Sequence, residues 1–526
     1  MKKIIKLTGL FLASLFLGTS CDIDDKFLSP DSITEGSVPG YYASMINNER
    51  MRYEYYHVRT FLAIQTAIYS QTMVLNNGSS IYRQNDGYIG QFWRDFYVGK
   101  TGGDETASAG AMAMYIMMEL QNEKATTPKQ KTDNEYFLKA GEVVLYDRAS
   151  QMIDLFGDVP FHTAGSILKG QSATVHAEFE DAATLYKEFI QRLDEISGFF
   201  KTAPANDAFK FGDILLQGRI NLWQRYANSL RLKLLIHLSE VDPGYAQTNI
   251  MNMLSKPSEY PLIDADNNPN YDPSQSDVLL TPLANYTKSL ENALKEGNAR
   301  VAPDYMLNDV MVPSKDPRLD LFFNKNGQAT FKAPSIDMSG DEITSIADKV
   351  SSWDSTTFWF NSKLPGIRMT AAEVNFIKAE AFERWGTSAQ AKTAYETGVK
   401  QSVKFYYYLN AISSESQKEA MPTETAIADY LTNGMPYTSN KAKNLELIAT
   451  QKWLHLGWLQ SIEAWTEYRR TKLPKLLPFP SKAKDPGFET PPTRLLYPSK
   501  ETSVNTNYSS VKAKDTRLTR IFWDVK

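Results

Sequence analysis

Apolar and small residues repeated at helical spacing constrain the fold of this 526-residue chain more than any other feature. Small residues let two neighbouring helices approach closely, and glycine permits the turn between them. One such repeat is not stable alone, so the spacing predicts further helical pairs elsewhere in the chain. The clearest example follows tetratricopeptide spacing within residues 379–398, at Ala379, Gly386, Ala391, Tyr395 and Gly398.

Longer segments supply the other helices. Residues 135–156, 178–196 and 219–240 combine good helix formers with apolar residues at steps of three and four. Residues 445–470 place their apolar side chains on one face, and we expect a single helix there.

Three polar stretches rich in Pro, Asn, Asp and Ser separate these helices, at 255–290, 298–366 and 471–526. Loops of this length in a compact protein are usually functional or disordered, and none of the three has the low complexity of a linker. The sequence therefore predicts a mostly α fold, a helical body with tetratricopeptide-like spacing that carries long inserted loops. We expect residues 21–526 to form one domain.

The N-terminal segment has the layout of an export signal. Three lysines among the first six residues precede the apolar run 7–17, and small residues then lead to Cys21, the only cysteine. The run is too short to span a bilayer. We expect residues 1–20 to be a lipoprotein signal peptide and Cys21 to be the lipidation site. A plain secretory signal is the alternative, but it would leave an unpaired exposed thiol.

Composition and spacing exclude several function classes. The formal net charge is −4 and no basic block is present, which argues against nucleic-acid binding. No two of the five histidines stand at metal-ligand spacing, so we expect no catalytic set, no metal and no cofactor. Residues 264–272 offer oxygen ligands, but Pro269 stands where a calcium loop needs glycine, and we interpret the segment as an Asx-rich turn.

Three stretches resemble the SusD/RagB-like lipoprotein family: DLFGDVPFHTA at 154–164, AAEVNFIKAEAFERWG at 371–386 and the Q-K-W…E-A-W-x-x-Y-R-R…P pattern within 448–474. Residues 227–234 and 316–323 are also typical of that family. The resemblance implies a tetratricopeptide-like helical-repeat body of four pairs with a loop-rich ligand-binding half, in one SusD-like domain. It also implies an acylated, surface-exposed protein, anchored in the outer leaflet of the cell outer membrane.

The resemblance further implies a partner and a ligand. A SusD-like protein is a lid on a SusC-like TonB-dependent transporter, to which it delivers a captured nutrient. Family members capture mostly oligosaccharides or polysaccharides, and peptides in the RagB branch. This reading predicts a binding protein rather than an enzyme.

A sugar offers an apolar ring face and a rim of hydroxyls, so its site needs exposed aromatic rings beside polar side chains. Two segments have this composition, 78–93 and 351–361. For Trp93 and Trp359 a place in the core is the competing interpretation. The candidate ligand-binding residues are Tyr82, Asn85, Tyr88, Trp93, Trp353, Phe358 and Trp359.

Two other functions stay open at this stage. A lipid-anchored glycoside hydrolase would use two carboxylates about 5 Å apart. The chain has 61 acidic residues, and the sequence alone does not show which of them lie that close together. A helical-repeat adhesin or scaffold would bind protein partners and no small ligand. Product release would reveal the hydrolase, and partner binding without a ligand would reveal the scaffold.

Overall fold

A computed structural model gives the architecture of most of the chain. The signal segment and Cys21 lie outside the described residues, so the lipidation site stays a prediction. The structure describes residues 36–74, 81–99, 110–170, 175–268, 270–283, 289–480 and 485–526.

Helices dominate the described residues, which confirms the mostly α fold. The α-helices of six or more residues are α1 (Val38–Ile46), α2 (Asp86–Tyr97), α3 (Ala111–Glu123), α4 (Pro128–Phe156), α5 (Ala182–Thr202), α6 (Asp207–Gly212), α7 (Ile220–His237), α8 (Pro243–Ser255), α9 (Ser289–Glu296), α10 (Gly340–Ser345), α11 (Ala371–Trp385), α12 (Ser388–Ile412), α13 (Glu424–Asp429), α14 (Lys441–Leu456), α15 (Ser461–Thr471) and α16 (Ser499–Val504). Within the described ranges, none of the helices has the length and apolar character needed to cross a membrane.

Strands are few and short: β1 (Val278–Leu280), β2 (Phe323–Asn324), β3 (Ser352–Trp353) and β4 (Gly366–Met369). β1 pairs with β4, and β2 pairs with β3, both antiparallel. β2 and β3 join two parts of the 298–366 insertion, and β1 joins the 255–290 insertion to the segment that precedes residue 371.

Four helix pairs build the body: α3 with α4, α5 with α7, α11 with α12, and α14 with α15. Neighbouring pairs also touch, because α7 contacts α11, α11 contacts α14, and α15 contacts α4. These contacts confirm the helical-repeat body expected from the sequence.

The α11–α12 pair shows why small residues recur at this spacing. Ala379 and Ala391 are fully buried, and a Cβ placed on Gly398 would lie 2.9 Å from the ring of Phe376. A larger residue there would push the two helices apart. The tetratricopeptide spacing in residues 379–398 is therefore confirmed.

The single helix expected over residues 445–470 is wrong. α14 ends at Leu456, the backbone turns at Gly457, and α15 begins at Ser461. Gly457 has a φ of 51°, which a residue with a Cβ adopts only at a cost, and its N–H closes α14 on the carbonyl of Trp453 at 2.9 Å. The apolar stripe that looked continuous is shared between two helices.

The FGDVP turn ends α4 and directs the chain toward α5. Gly157 has a φ of 83°, as expected for a helix-ending glycine. Asp158 then accepts a hydrogen bond from the backbone N–H of Ala182, at the start of α5 (3.0 Å). The C-terminal segment packs over this turn, where Leu495 N donates to the carbonyl of Leu155 at 2.8 Å.

Candidate functional site: the groove beside Trp93

A groove of about 500 Å³ runs beside α2, and its other walls are the segment after the FGDVP turn and the C-terminal residues 498–505. Its volume falls in the range of about 300–1,000 Å³ that small-ligand sites occupy. We call it the Trp93 groove, since the ring of Trp93 forms part of its lining.

The first turn of α2 fixes one wall. Asn85 caps this helix by accepting a hydrogen bond from the N–H of Tyr88 at 3.0 Å. Asp86 accepts two hydrogen bonds from Ser499, from its N–H at 2.9 Å and from its Oγ at 2.6 Å. These bonds hold α16 against α2 although the two helices lie about 400 residues apart in sequence.

Side-chain amides fix the opposite wall. Asn505 donates through Nδ2 to the carbonyl of Ala177 at 2.9 Å and to Glu501 Oε1 at 2.7 Å. Asn507 donates to the carbonyl of His176 at 2.7 Å. The groove therefore has a shape set by hydrogen bonds rather than by loose loops.

The groove has an aromatic base and an apolar rim. The Trp93 ring makes edge contacts with Phe156 and Tyr497, at centroid distances of 5.0 and 5.6 Å, and is 6% exposed. The rim carries three valines that are more than half exposed: Val98, Val175 and Val504. Exposed apolar side chains gathered around a concavity are typical of a binding site.

Polar atoms of the groove still have hydrogen-bonding capacity. Gln91 Oε1 and Arg94 Nε are buried and have no hydrogen-bond partner among the described residues, although Arg94 Nη2 donates to Asp95 at 3.1 Å. The Lys500 side chain is exposed at the edge. Amide, guanidinium and ammonium groups of this kind bind hydroxyls in ligand sites.

Two of the aromatic residues predicted to bind a ligand lie in the core. Trp353 is fully buried and Phe358 is 1% exposed, and each ring packs against the other and against Trp458. The π-helical turn Ser355–Trp359 directs Phe358 inward, whereas Phe360 is 38% exposed. The exposure expected of Trp353 and Phe358 is therefore wrong.

Tyr82 is also buried, against Tyr69 and in edge contact with Phe479 (5.6 Å). Burial raises the pKa of its phenol. The exposure expected of this ring is wrong too, because the 471–526 insertion covers it.

Tyr88 and Trp359 keep some accessible surface, but neither lines the Trp93 groove. The guanidinium of Arg300 covers the Trp359 ring at 4.5 Å from its centroid. Of the seven predicted residues, Trp93 lines the groove and Asn85 positions its wall. Ligand binding by Tyr88 and Trp359 stays a prediction.

A second cavity, of about 550 Å³, lies between α8, α11 and α12. Its charged groups are already paired: Lys378 with Asp264 at 2.5 Å, and Arg225 with Asp266 at 2.7 Å. Asp264 Oδ1 also accepts from the N–H of Asp266 at 3.0 Å, which confirms the Asx turn. Pro269 lies outside the described residues. With these groups paired, this cavity is the weaker candidate.

One buried cluster has metal-ligand geometry, formed by His237, Glu463 and Glu467. Its two carboxylates already face cations, because Lys452 Nζ lies 3.3 Å from Glu467 and His237 Nε2 lies 3.0 Å from Glu463. Burial lowers the pKa of His237, but these carboxylates and Asp154 raise it to about 9 overall. The cluster is a charge-balanced network of the body.

Sequence reasoning missed most of the groove. Gln91 lies within the segment 78–93 and Arg94 directly follows it, so a search for polar residues next to Trp93 in the sequence would have found them. Nothing in the sequence of 498–505 or 175–177 indicates that these residues meet α2.

The family model described as SusD-like, "Starch-binding associating with outer membrane", matches residues 62–498. The chain belongs to the SusD-like family. No curated protein sequence matches the chain.

Solved structures share the SusD-like fold across the chain. A chitin-binding protein aligns with 18% identity and a TM-score of 0.73, covering 93% of this chain and 100% of that one. A SusD homologue from Bacteroides fragilis aligns with 17% identity and a TM-score of 0.71, at the same coverage. A chitin-binding SusD homologue from Flavobacterium johnsoniae has 18% identity and a TM-score of 0.68, covering 93% of this chain and 99% of that one. At these identities the likeness establishes the fold alone.

Proposed function

We propose that this SusD-like protein captures a glycan in the Trp93 groove and releases it unchanged. The observation that carries the proposal is the composition of the groove: an aromatic base and valine rim beside polar atoms without partners. The apolar surface suits the C–H face of a sugar ring, and Gln91, Arg94 and Lys500 suit its hydroxyls.

The relatives support a polysaccharide as the ligand class. Two of the structurally similar proteins are described as chitin-binding, and the family description names starch. An oligopeptide could use the same apolar rim and polar edge, and it is the competing ligand in the test below.

We also propose that the protein works at the cell surface, anchored in the outer leaflet of the outer membrane through Cys21. It would deliver its ligand to a SusC-like TonB-dependent transporter. The family's association with the outer membrane supports this location, and the sequence layout before Cys21 supports the anchor.

The test is to migrate the purified protein through gels that contain starch, chitin-derived or other polysaccharides, and to measure binding of peptide mixtures by calorimetry. Released products are followed in the same samples. Retardation by one polysaccharide without products is the expected result. Product release would favour the lipid-anchored glycoside hydrolase. Binding of peptides without binding of any polysaccharide would show that the ligand is a peptide rather than a glycan. Association with a protein partner and no ligand would favour the adhesin or scaffold.

A further inference from the structure

A small cavity of about 40 Å³ lies inside the body, away from the Trp93 groove. Its wall combines the N-terminal segment near Arg50, α4 at Arg148, α7 at Lys233, β4 at Arg368 and the start of α15 at Glu463. A cavity of this size holds about three water-sized spheres. It is too small for a sugar ring.

Most of the cations that line this cavity already have partners. Three of the cations have partners: Arg50 Nε lies 2.8 Å from Asp95, Lys233 Nζ lies 2.6 Å from Glu373, and Arg368 Nε lies 2.9 Å from Asp147. Arg52 donates to the carbonyl of Thr281 and to Asn47. These contacts occupy Asp95, Glu373 and Asp147, and Arg148 is the lining cation to consider next.

Arg148 is 3% exposed and has no carboxylate partner among the described residues. Its guanidinium donates to Gln151 Oε1 at 3.1 Å and lies 5.6 Å from the ring centroid of Phe92. The adjacent Asp147 already accepts from Arg368 and from the hydroxyl of Tyr226 at 2.9 Å. An unpaired buried cation is costly, so a charge of opposite sign is the natural complement.

Two further donors on the same wall lack partners. Arg50 Nη2 and His57 Nδ1 are buried and make no hydrogen bond with the described residues. Burial, and then the charges of Arg50, Arg148 and Arg368, lower the pKa of His57 well below its usual value, so its ring is neutral and can donate from one nitrogen. Burial and the charge of Arg368 lower the pKa of Arg148 to about 9, which leaves it protonated at neutral pH.

The one carboxylate that lines the cavity does not oppose an anion strongly. Glu463 lies 3.0 Å from His237 Nε2 and 3.9 Å from Lys452 Nζ, and although burial lowers the pKa of His237, nearby carboxylates raise it to about 9 overall. These two neighbours already offset the charge of Glu463.

We propose that this cavity binds one small anion, of the size of chloride or a carboxylate group, held by Arg148 together with the free donors of Arg50 and His57. The bound anion joins the N-terminal segment to α4, α7, β4 and α15. It acts as a structural ion and takes no part in glycan capture, so this proposal stands independently of the proposed function.

The first test measures thermal unfolding of the purified protein while chloride replaces gluconate at constant ionic strength. Gluconate is too large for the cavity. A ligand that binds the folded state alone should raise the melting temperature by about 1–2 °C for each tenfold rise in chloride above its dissociation constant. Arg148→Met should lose this dependence, whereas Arg83→Met, the same change at an exposed arginine, should keep it.

The second test uses the native protein, so it decides the matter if Arg148→Met fails to fold. Crystals grown in sodium bromide should show an anomalous scattering peak in the cavity next to the Arg148 guanidinium. A melting temperature that is independent of chloride, with no bromide peak in the cavity, would overturn the proposal and assign the space to water.

Discussion

The buried Arg470 cluster of the repeat body and the polar groups of the Trp93 groove differ in how completely they are paired. In the body, the fully buried Arg470 donates to Glu380 at 2.8 and 2.6 Å and to Glu467 at 2.6 Å. In the groove, Gln91 Oε1 and Arg94 Nε have no partner among the described residues. Paired groups stabilise one arrangement of helices, whereas buried groups beside a concave surface that lack a partner can pair with a ligand once their side chains rotate toward it.

The difference separates residues that serve the fold from residues that serve binding, although both sets are polar. Substitutions in the body should change the free energy of unfolding, and substitutions in the groove should change affinity. The predictions below test that separation in order of decreasing effect.

The largest expected effect is on the Arg470 cluster. Arg470→Met leaves Glu380 and Glu467 buried without their shared cation, which should cost about 3–5 kcal/mol of unfolding free energy. Chemical denaturation measures the loss. Lys400→Met, at an exposed site on α12, is the control and should change stability by less than about 0.5 kcal/mol. Equal stability of the two variants would show that the cluster does not hold α11 to α15.

The next effect is a loss of stability at alkaline pH through His237. Its pKa rises from 6.5 to about 9 in the folded protein, so the protonated form stabilises the fold below about pH 6.5. That contribution is lost as pH rises through 9 and amounts to roughly 3 kcal/mol. Unfolding free energies measured from pH 6 to pH 10 should fall in the native protein. A His237→Gln variant with the same pH slope would contradict the assignment.

Asn505→Ala tests the wall of the groove, where a moderate effect is expected on both stability and binding. The change removes the bonds to Ala177 and Glu501, which should cost about 1 kcal/mol of stability and weaken glycan binding about fivefold. Melting temperature and calorimetry measure the two losses. Asn507→Ala removes only the hydrogen bond to the carbonyl of His176 on the same wall, so it should have about half the effect on stability and on binding. Unchanged binding in both variants would show that this wall does not shape the site.

The smallest effect is expected at Tyr88. Its partly exposed ring lies on the first turn of α2 but outside the groove, so Tyr88→Ala should weaken binding about twofold and leave the melting temperature nearly unchanged. Competition calorimetry with the same polymer resolves a change of this size. A loss of affinity above tenfold would show that the ligand binds on the other side of α2 rather than in the groove.

The sequence predicted the fold well where the residues that decide it lie within a few positions of one another. The helix pair at 371–412 follows from small residues and a turn glycine within a few positions, and the FGDVP turn follows from Gly157. The break at Gly457 was missed because the apolar stripe continues through it. Periodicity reports which residues face the core and does not show whether the backbone stays straight.

The site was harder to predict, since its walls come from distant parts of the chain. Trp93 was predicted as a ligand-binding residue because it is aromatic. Trp353 and Phe358 were predicted on the same ground, but both lie in the core. Aromatic residues fill cores as readily as they bind sugars, so residue type alone does not separate the two roles. The contact between Asp86 and Ser499 has no counterpart in local sequence.

The most direct test of glycan capture in the Trp93 groove is the dissociation constant for the retained polysaccharide in two variants. Gln91→Ala combined with Lys500→Ala removes groove donors and acceptors, and Thr393→Ala alters the second cavity at an exposed site. The account predicts about a tenfold or greater loss in the double variant, an unchanged constant for Thr393→Ala, and equal melting temperatures. Native affinity in the double variant together with weakened binding in Thr393→Ala would contradict it and place the site in the second cavity.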